Sequence, residues 1–210
     1  MNIIVCIKQV PAKDAPLSIA GNWIRESDIG FEMNEPDSYA LEEALRLKEK
    51  HGGEVIVLSM GPERVKQTIK EALAKGADRA IHIADDQFAQ LDALGSAKSL
   101  AAAIKQQKHD LVLTGLQSDD HGFGQTGVLL AGMLDVPHAT ITMSLGCARK
   151  SLQSSDPCEY SSTSSNFPSS SSDSMSYRST SPASATIALI VSLMASLPPG
   201  SASGRADRWR

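Results

Sequence analysis

Residues Asp110 to Leu134 read DLVLTGLQSDDHGFGQTGVLLAGML, and this run decides the fold. Leu111, Val112 and Leu113 form a short apolar run suited to a strand buried on both faces. Val128, Leu129, Leu130, Ala131, Gly132, Met133 and Leu134 continue as a helix too apolar for a surface one. Between them, Gly115, Gly122, Gly124 and Gly127 let the backbone turn tightly and approach a ligand closely. Gln125, Thr126 and Gly127 fall where the helix begins, with amide N–H groups unpaired and the positive end of the helix dipole outward. A phosphate is favoured there. The loop is neither a P-loop, since no Gly-Lys-Ser/Thr follows, nor a G-x-G-x-x-G fingerprint. The plainer alternative is a polar loop before a capped helix, with no ligand.

The chain N-terminal to this run repeats its grammar. Asn2 to Gln9 is rich in Ile and Val, as a central parallel strand is, and Gln9 to Ala12 is expected to be a loop. Trp23 to Glu26 and Gly30 to Met33 are expected to pair as a small ribbon. Asn34 offers a helix cap and Pro36 a first turn. Tyr39, Ala40, Leu41, Ala44, Leu45 and Leu47 then recur at helical spacing as far as Lys50, with Glu42, Glu43 and Arg46 on the solvated face and Gly52 as the stop. Glu54 to Met60 is a second strand, followed by a helix with a stripe of Val65, Ile69, Ala72 and Leu73. Ala80 to Ile83 is a third strand, and Leu91 to Gln107 a helix through Leu94, Ala97, Leu100, Ala101 and Ile104. After the opening run, Ala139 to Leu145 is again extended.

Strands alternating with helices predict an α/β fold: a doubly wound parallel sheet with helices on both faces, Rossmann-like and with room for a mononucleotide. In such sheets ligands bind beyond the carboxyl ends of the strands, where strand order reverses. With the first and fourth strands as neighbours, the crevice lies between Cys6 to Gln9 and Gly122 to Gly127.

Composition sets bounds on function. A net charge of −4 and 4% aromatic residues argue against nucleic-acid binding. The N-terminus MNIIVCIKQVP has no basic leader, and the apolar run Ile187 to Met194 is far shorter than the roughly 20 residues that span a bilayer. A soluble, cytoplasmic protein without membrane insertion is expected. Cys6, Cys147 and Cys158 lack metal-like spacing and read as reduced thiols, with Cys6 in the core. Asp119, Asp120 and His121 are adjacent in one loop and cannot converge as metal ligands from separate elements do, so no metal site is expected. Lys8, at a strand end, either neutralises a phosphate or snorkels to solvent.

From Cys147 to Arg210 the periods vanish and serine dominates, with runs such as Ser169 to Ser172. That composition predicts a disordered tail over 147–210 beside a nucleotide-binding domain over 1–146. Its one apolar stretch, Thr186 to Leu197, reads as a transient helix or an aggregation-prone patch.

Four blocks carry a family resemblance: IIVCIKQVP, MNEPDSYALEEALRLKEKHGGEVIVLSMGP, EALAKGADRAIHI and TGLQSDDHGFGQTGVLLAGML. In this order and spacing, from Met1 to about Leu145, they resemble the beta subunit of electron transfer flavoproteins. The resemblance implies a non-enzymatic electron carrier: a heterodimer with an alpha subunit that holds the redox FAD, fed by dehydrogenases and discharged to a quinone oxidoreductase. It implies AMP, or a second FAD, on the beta subunit. The positions matching its nucleotide contacts are Cys6, Asn34, Glu35, Pro36, Asp37, Met60, and the loop and helix Gly122, Phe123, Gly124, Gln125, Thr126, Gly127, Val128, Leu129, Leu130, Ala131, Gly132 and Met133.

The sequence departs from the family at Asn34-Glu35-Pro36-Asp37, where Asn-Pro-aromatic is common, and at Ser118-Asp119-Asp120-His121, where A-I-D-x-D is usual. It also lacks the family's later docking loop and lysine-rich stretch, so the Ser-rich end reads as out of frame or replaced. Two rivals stand beside this reading: a stand-alone adenine-nucleotide-binding module of the stress-protein kind, and a non-functional truncated subunit.

Overall fold

The computed structural model describes residues 1–16, 19–20, 23–86, 88, 91–142, 146–148, 159–161 and 189–193. The first elements are β1 (Asn2–Cys6), β2 (Gln9–Pro11), β3 (Ile19–Ala20), β4 (Trp23–Ile24), β5 (Phe31–Met33), α1 (Glu35–His51) and β6 (Glu54–Gly61). Then come α2 (Lys66–Ala74), β7 (Arg79–Ala84), α3 (Ala93–Ile104), β8 (Leu111–Gly115), α4 (Thr126–Leu134) and β9 (His138–Thr142). The short strands β10 (Gly146–Ala148), β11 (Glu159–Ser161) and β12 (Leu189–Leu193) follow.

Six strands form a parallel sheet in the order β7-β6-β1-β8-β12-β9. The chain winds outward from β1 through β6 to β7, then returns to β8 on the other side of β1. Alternation along β1 divides its side chains between two cores. Ile3, Val5 and Ile7 pack with Ala40, Leu41, Ala44 and Leu47 of α1 and Ala72 of α2. Ile4 and Cys6 pack with Ala97, Leu100 and Ile104 of α3 and Leu130 and Ala131 of α4. Helices therefore cover both faces, as reversal of winding at β1/β8 requires of right-handed crossovers.

Several expectations are corrected. Gln9–Pro11 is not a free loop but pairs antiparallel with Phe31–Met33, while Trp23–Ile24 pairs with Ile19–Ala20. The ribbon expected between the 23–26 and 30–33 pieces is thus replaced by two separate ribbons. Asn34 precedes α1 but makes no side-chain cap, because its amide is spent on a distant loop. Glu43 is buried rather than solvated, 3.4 Å from Arg46, and pairing of this kind is what lets a carboxylate leave water. Leu73 and Leu94, placed on apolar stripes, are exposed. Leu189–Leu193, part of the Thr186 to Leu197 stretch, is a strand between β8 and β9, and the rest of that stretch lies outside the described residues. Its run of Leu189, Ile190 and Val191 suits a strand flanked on both sides. The other residues of the Ser-rich segment, apart from β10 and β11, lie outside the described residues.

Opposite β12, strand β9 carries one extra residue between Ala139 and Thr142, and Ile141 sits there at φ 57°. A β-branched residue in the left-handed region is strained, and the bulge is where the chain absorbs it.

Candidate functional site

The carboxyl ends of β1, β6 and β8, with the loop after β7, open into one cleft of about 390 Å³. Its floor is held by a single carboxylate. Asp37, in the first turn of α1, accepts the Lys8 N–H on Oδ2 at 2.8 Å and the Gly115 N–H on Oδ1 at 2.9 Å. One side chain thereby ties the chain just past β1 to the end of β8, at the point where the strand order reverses. Burial pushes the Asp37 carboxyl up to about 7, against the opposing pull of the Lys8 N–H, Asn34, the Gly115 N–H and the Lys8 charge.

Gly115 is needed for this approach. A Cβ there would overlap the Asp37 carboxylate and stand 2.9 Å from both the Asp37 backbone nitrogen and Pro36 Cβ. Asn34 clamps the next loop: its Nδ2 donates to Gln117 O at 2.9 Å, and its Oδ1 accepts from Asp119 N at 2.9 Å. The loop is also tied to β1 through Lys8. The Lys8 ammonium donates to Asp120 Oδ1 at 2.7 Å and to Ser118 Oγ at 3.3 Å, and lies 3.2 Å from His121 Nδ1. Burial would raise the Asp120 carboxyl, but the Lys8 and Ser118 hydrogen bonds and the Lys8 charge hold it below the usual range.

The wall opposite this floor is the start of α4. Gln125 occupies the cap position but contributes no side-chain hydrogen bond. The first-turn N–H groups of α4 therefore have no cap, and Gln125, Thr126 and Gly127 all line the cleft. Chemically this end accepts an anion. The other end is more apolar. Phe31 lies under the Arg64 guanidinium, 4.4 Å from ring centroid to Cζ, and Ile29, Met60 and Phe88 continue the lining.

Of the residues singled out from sequence, Cys6, Asn34, Asp37, Met60, Phe123, Gly124, Gln125, Thr126 and Gly127 line the cleft together. The others do not reach it. Glu35 faces solvent and pairs with Lys13 and with the Tyr39 hydroxyl, and Pro36 packs behind Gly115. Gly122 is at the exposed loop tip, and Val128 and Gly132 are exposed on α4. Leu130 and Ala131 are core residues, with Leu129 and Met133 packed against the same core. Cys6 is buried, and burial together with the Asp37 charge pushes its thiol up to about 12, so it is a packing group rather than a nucleophile.

Sequence reasoning missed the α3 side of the cleft, where Asp92 caps the helix by accepting from Gly95 N at 2.7 Å and Ser96 joins the lining. The signal was available: β7 ends at the same sheet edge as β1, β6 and β8, so the loop after it belonged in the same list. Arg64 and Phe31 were missed because Phe31 reaches the cleft only through the β2–β5 pairing. Among the described residues no group of three or more His, Cys, Asp or Glu is placed to hold a metal ion, and no helix is long and apolar enough to cross a membrane.

The electron transfer flavoprotein domain matches residues 22–159. An electron transfer flavoprotein subunit beta from Methylophilus methylotrophus is 37% identical over 149 residues, covering 69% of this chain and 56% of the relative. One from Clostridium acetobutylicum is 42% identical over 142 residues, covering 67% and 54%. A FixA protein from Azotobacter vinelandii is 35% identical over 161 residues, covering 73% and 57%. The chain spans about half the length of the curated relatives it matches. With the domain match extending over most of its length, this chain belongs to the electron transfer flavoprotein family, among relatives named as beta subunits and FixA proteins.

Proposed function

We propose that this chain is a beta-type subunit of an electron transfer flavoprotein, holding AMP or a second FAD in the cleft and pairing with an FAD-carrying alpha subunit. In that assembly it is a cytoplasmic carrier half rather than an enzyme, serving dehydrogenases as donors and a quinone oxidoreductase as acceptor. The observation that carries the reading is the uncapped start of α4 facing the cleft at the β1/β8 reversal, in a chain of this family. The residues fit a nucleotide. The first-turn N–H groups of Thr126 and Gly127 receive phosphate, and Lys8 and the apolar residues Cys6, Met60 and Phe31 line the same cleft. A bound FAD would supply the reversible electron transfer, and the chain's own part is to bind it, orient it and shape the polarity around it.

Co-expression with the neighbouring alpha subunit, followed by chromatography of released nucleotides, tests this. A yellow heterodimer carrying AMP, or two FAD per dimer, is expected. A colourless monomer that binds AMP would overturn the subunit role and favour a stand-alone adenine-nucleotide module.

A further inference from the structure

The rim of the cleft carries two aromatic rings that phosphate binding does not use. Phe123 lines the cleft and is 58% exposed. Its ring stacks on His121 with centroids 5.5 Å apart and planes inclined by 24°. His121 is fixed in turn by Lys8. An ammonium only donates, so Nδ1 is the accepting side of this contact. The backbone on both sides of Phe123 is left-handed, with Gly122 at φ 65° and Gly124 at φ 61°. A Cβ at Gly122 would meet nothing within 4 Å, so this glycine serves backbone direction rather than space. The loop therefore holds a large apolar ring out at the cleft mouth, braced on one side by an imidazole.

We propose that Phe123, braced by His121, is the stacking surface for the planar ring of the ligand whose phosphate is received at the start of α4. The inference rests on the nucleotide reading of the cleft. Phe123 lies three residues before Thr126, the first residue of α4, so ring and phosphate are received by adjoining parts of the chain. Stacking on an aromatic side chain accepts any flat heterocycle, so adenine and the flavin ring both suit the surface. Phe123 is the binding residue, and His121 acts through it as a positioning residue.

Calorimetric titration of the full chain with AMP, FAD and ribose 5-phosphate, which has the phosphate but no ring, tests the proposal. Phe123→Ala is expected to weaken whichever of AMP and FAD binds by about 10-fold, the scale of one base–aromatic stack, and to leave ribose 5-phosphate unaffected. Phe123→Tyr keeps the affinity and Phe123→Leu does not. His121→Ala gives a smaller loss confined to the ring-bearing probes, and His121→Phe restores it. Unchanged AMP and FAD affinity in Phe123→Ala overturns the stacking role and leaves the nucleotide site standing. An equal loss for ribose 5-phosphate also overturns it, because the loop would then act on the phosphate. A wild-type chain that binds none of the three overturns the nucleotide reading itself.

Discussion

Asp37 makes three elements depend on one carboxylate, since its oxygens join the ends of β1 and β8 to the first turn of α1. Burial lifts this carboxyl to about 7, above the 3.8 of an exposed aspartate, so the fold binds its proton more tightly than the unfolded chain does. The stabilisation from that proton is complete below about pH 4 and is lost as pH rises through about 7, a change on the order of 4 kcal/mol. Urea unfolding of wild type and Asp37→Asn between pH 4.5 and 8 should show the wild-type advantage shrinking as pH rises. A constant difference would show that Asp37 does not titrate in this window. Gly115 is the steric counterpart. In Gly115→Ala the methyl group overlaps the Asp37 carboxylate and also meets the Asp37 backbone nitrogen and Pro36, so turning the carboxylate aside is not enough and relief requires α1 to move off β8. The expected cost is about 2–3 kcal/mol in urea unfolding, from overpacking and the weakened Asp37 bond, together with loss of nucleotide affinity.

At the level of elements, the long strands and helices were legible because their burial is periodic. Leu111 to Leu113 and the Ile3, Val5 and Ile7 set read directly as two-sided strands, and α1 read from its apolar spacing. What stayed hidden was non-local. Gln9–Pro11 is three residues long and includes a proline, too short to show a period, and becomes a strand only because Phe31–Met33 lies against it. Asn34 carries a cap-like signal, yet its partners Gln117 and Asp119 lie more than eighty residues away, where no local pattern can announce them. The α4 start and its glycine loop were legible because a helix start is marked by its own residues, and Gln125, Thr126 and Gly127 stand at the cleft by position alone. Since Asn34 clamps the loop rather than capping α1, Asn34→Ala should leave the helix start intact. It should cost about 1–3 kcal/mol through the two hydrogen bonds lost to the loop backbone, and speed proteolysis within residues 116–124. Limited proteolysis with mapped cleavage sites checks this; unchanged cutting there would assign the loop's order to Lys8 and Asp120 instead.

At the scale of the whole molecule, the sheet depends on a strand drawn from the segment that composition marks as unable to fold. β12 pairs with β8 on one side and β9 on the other, and among the described residues β9 reaches the sheet only through it. The pairing runs as far as Leu193 beside Gly115, the residue on which Asp37 is anchored. Stability and site geometry are thus coupled to a strand outside the 22–159 family match. Val191 lies mid-strand, opposite Leu113 and Ala139. A proline there removes a backbone donor from a strand flanked on both sides, where the ladder offers no solvent edge to absorb the loss. Val191→Pro should cost at least about 2 kcal/mol in urea unfolding, raise amide hydrogen exchange in Leu111–Gly115 and weaken nucleotide binding, whereas Val191→Ile should change none of these. If Val191→Pro unfolds and binds like wild type, β8 stands without this neighbour. The cleft would then be a property of β1, β6, β8 and the loop after β7 alone.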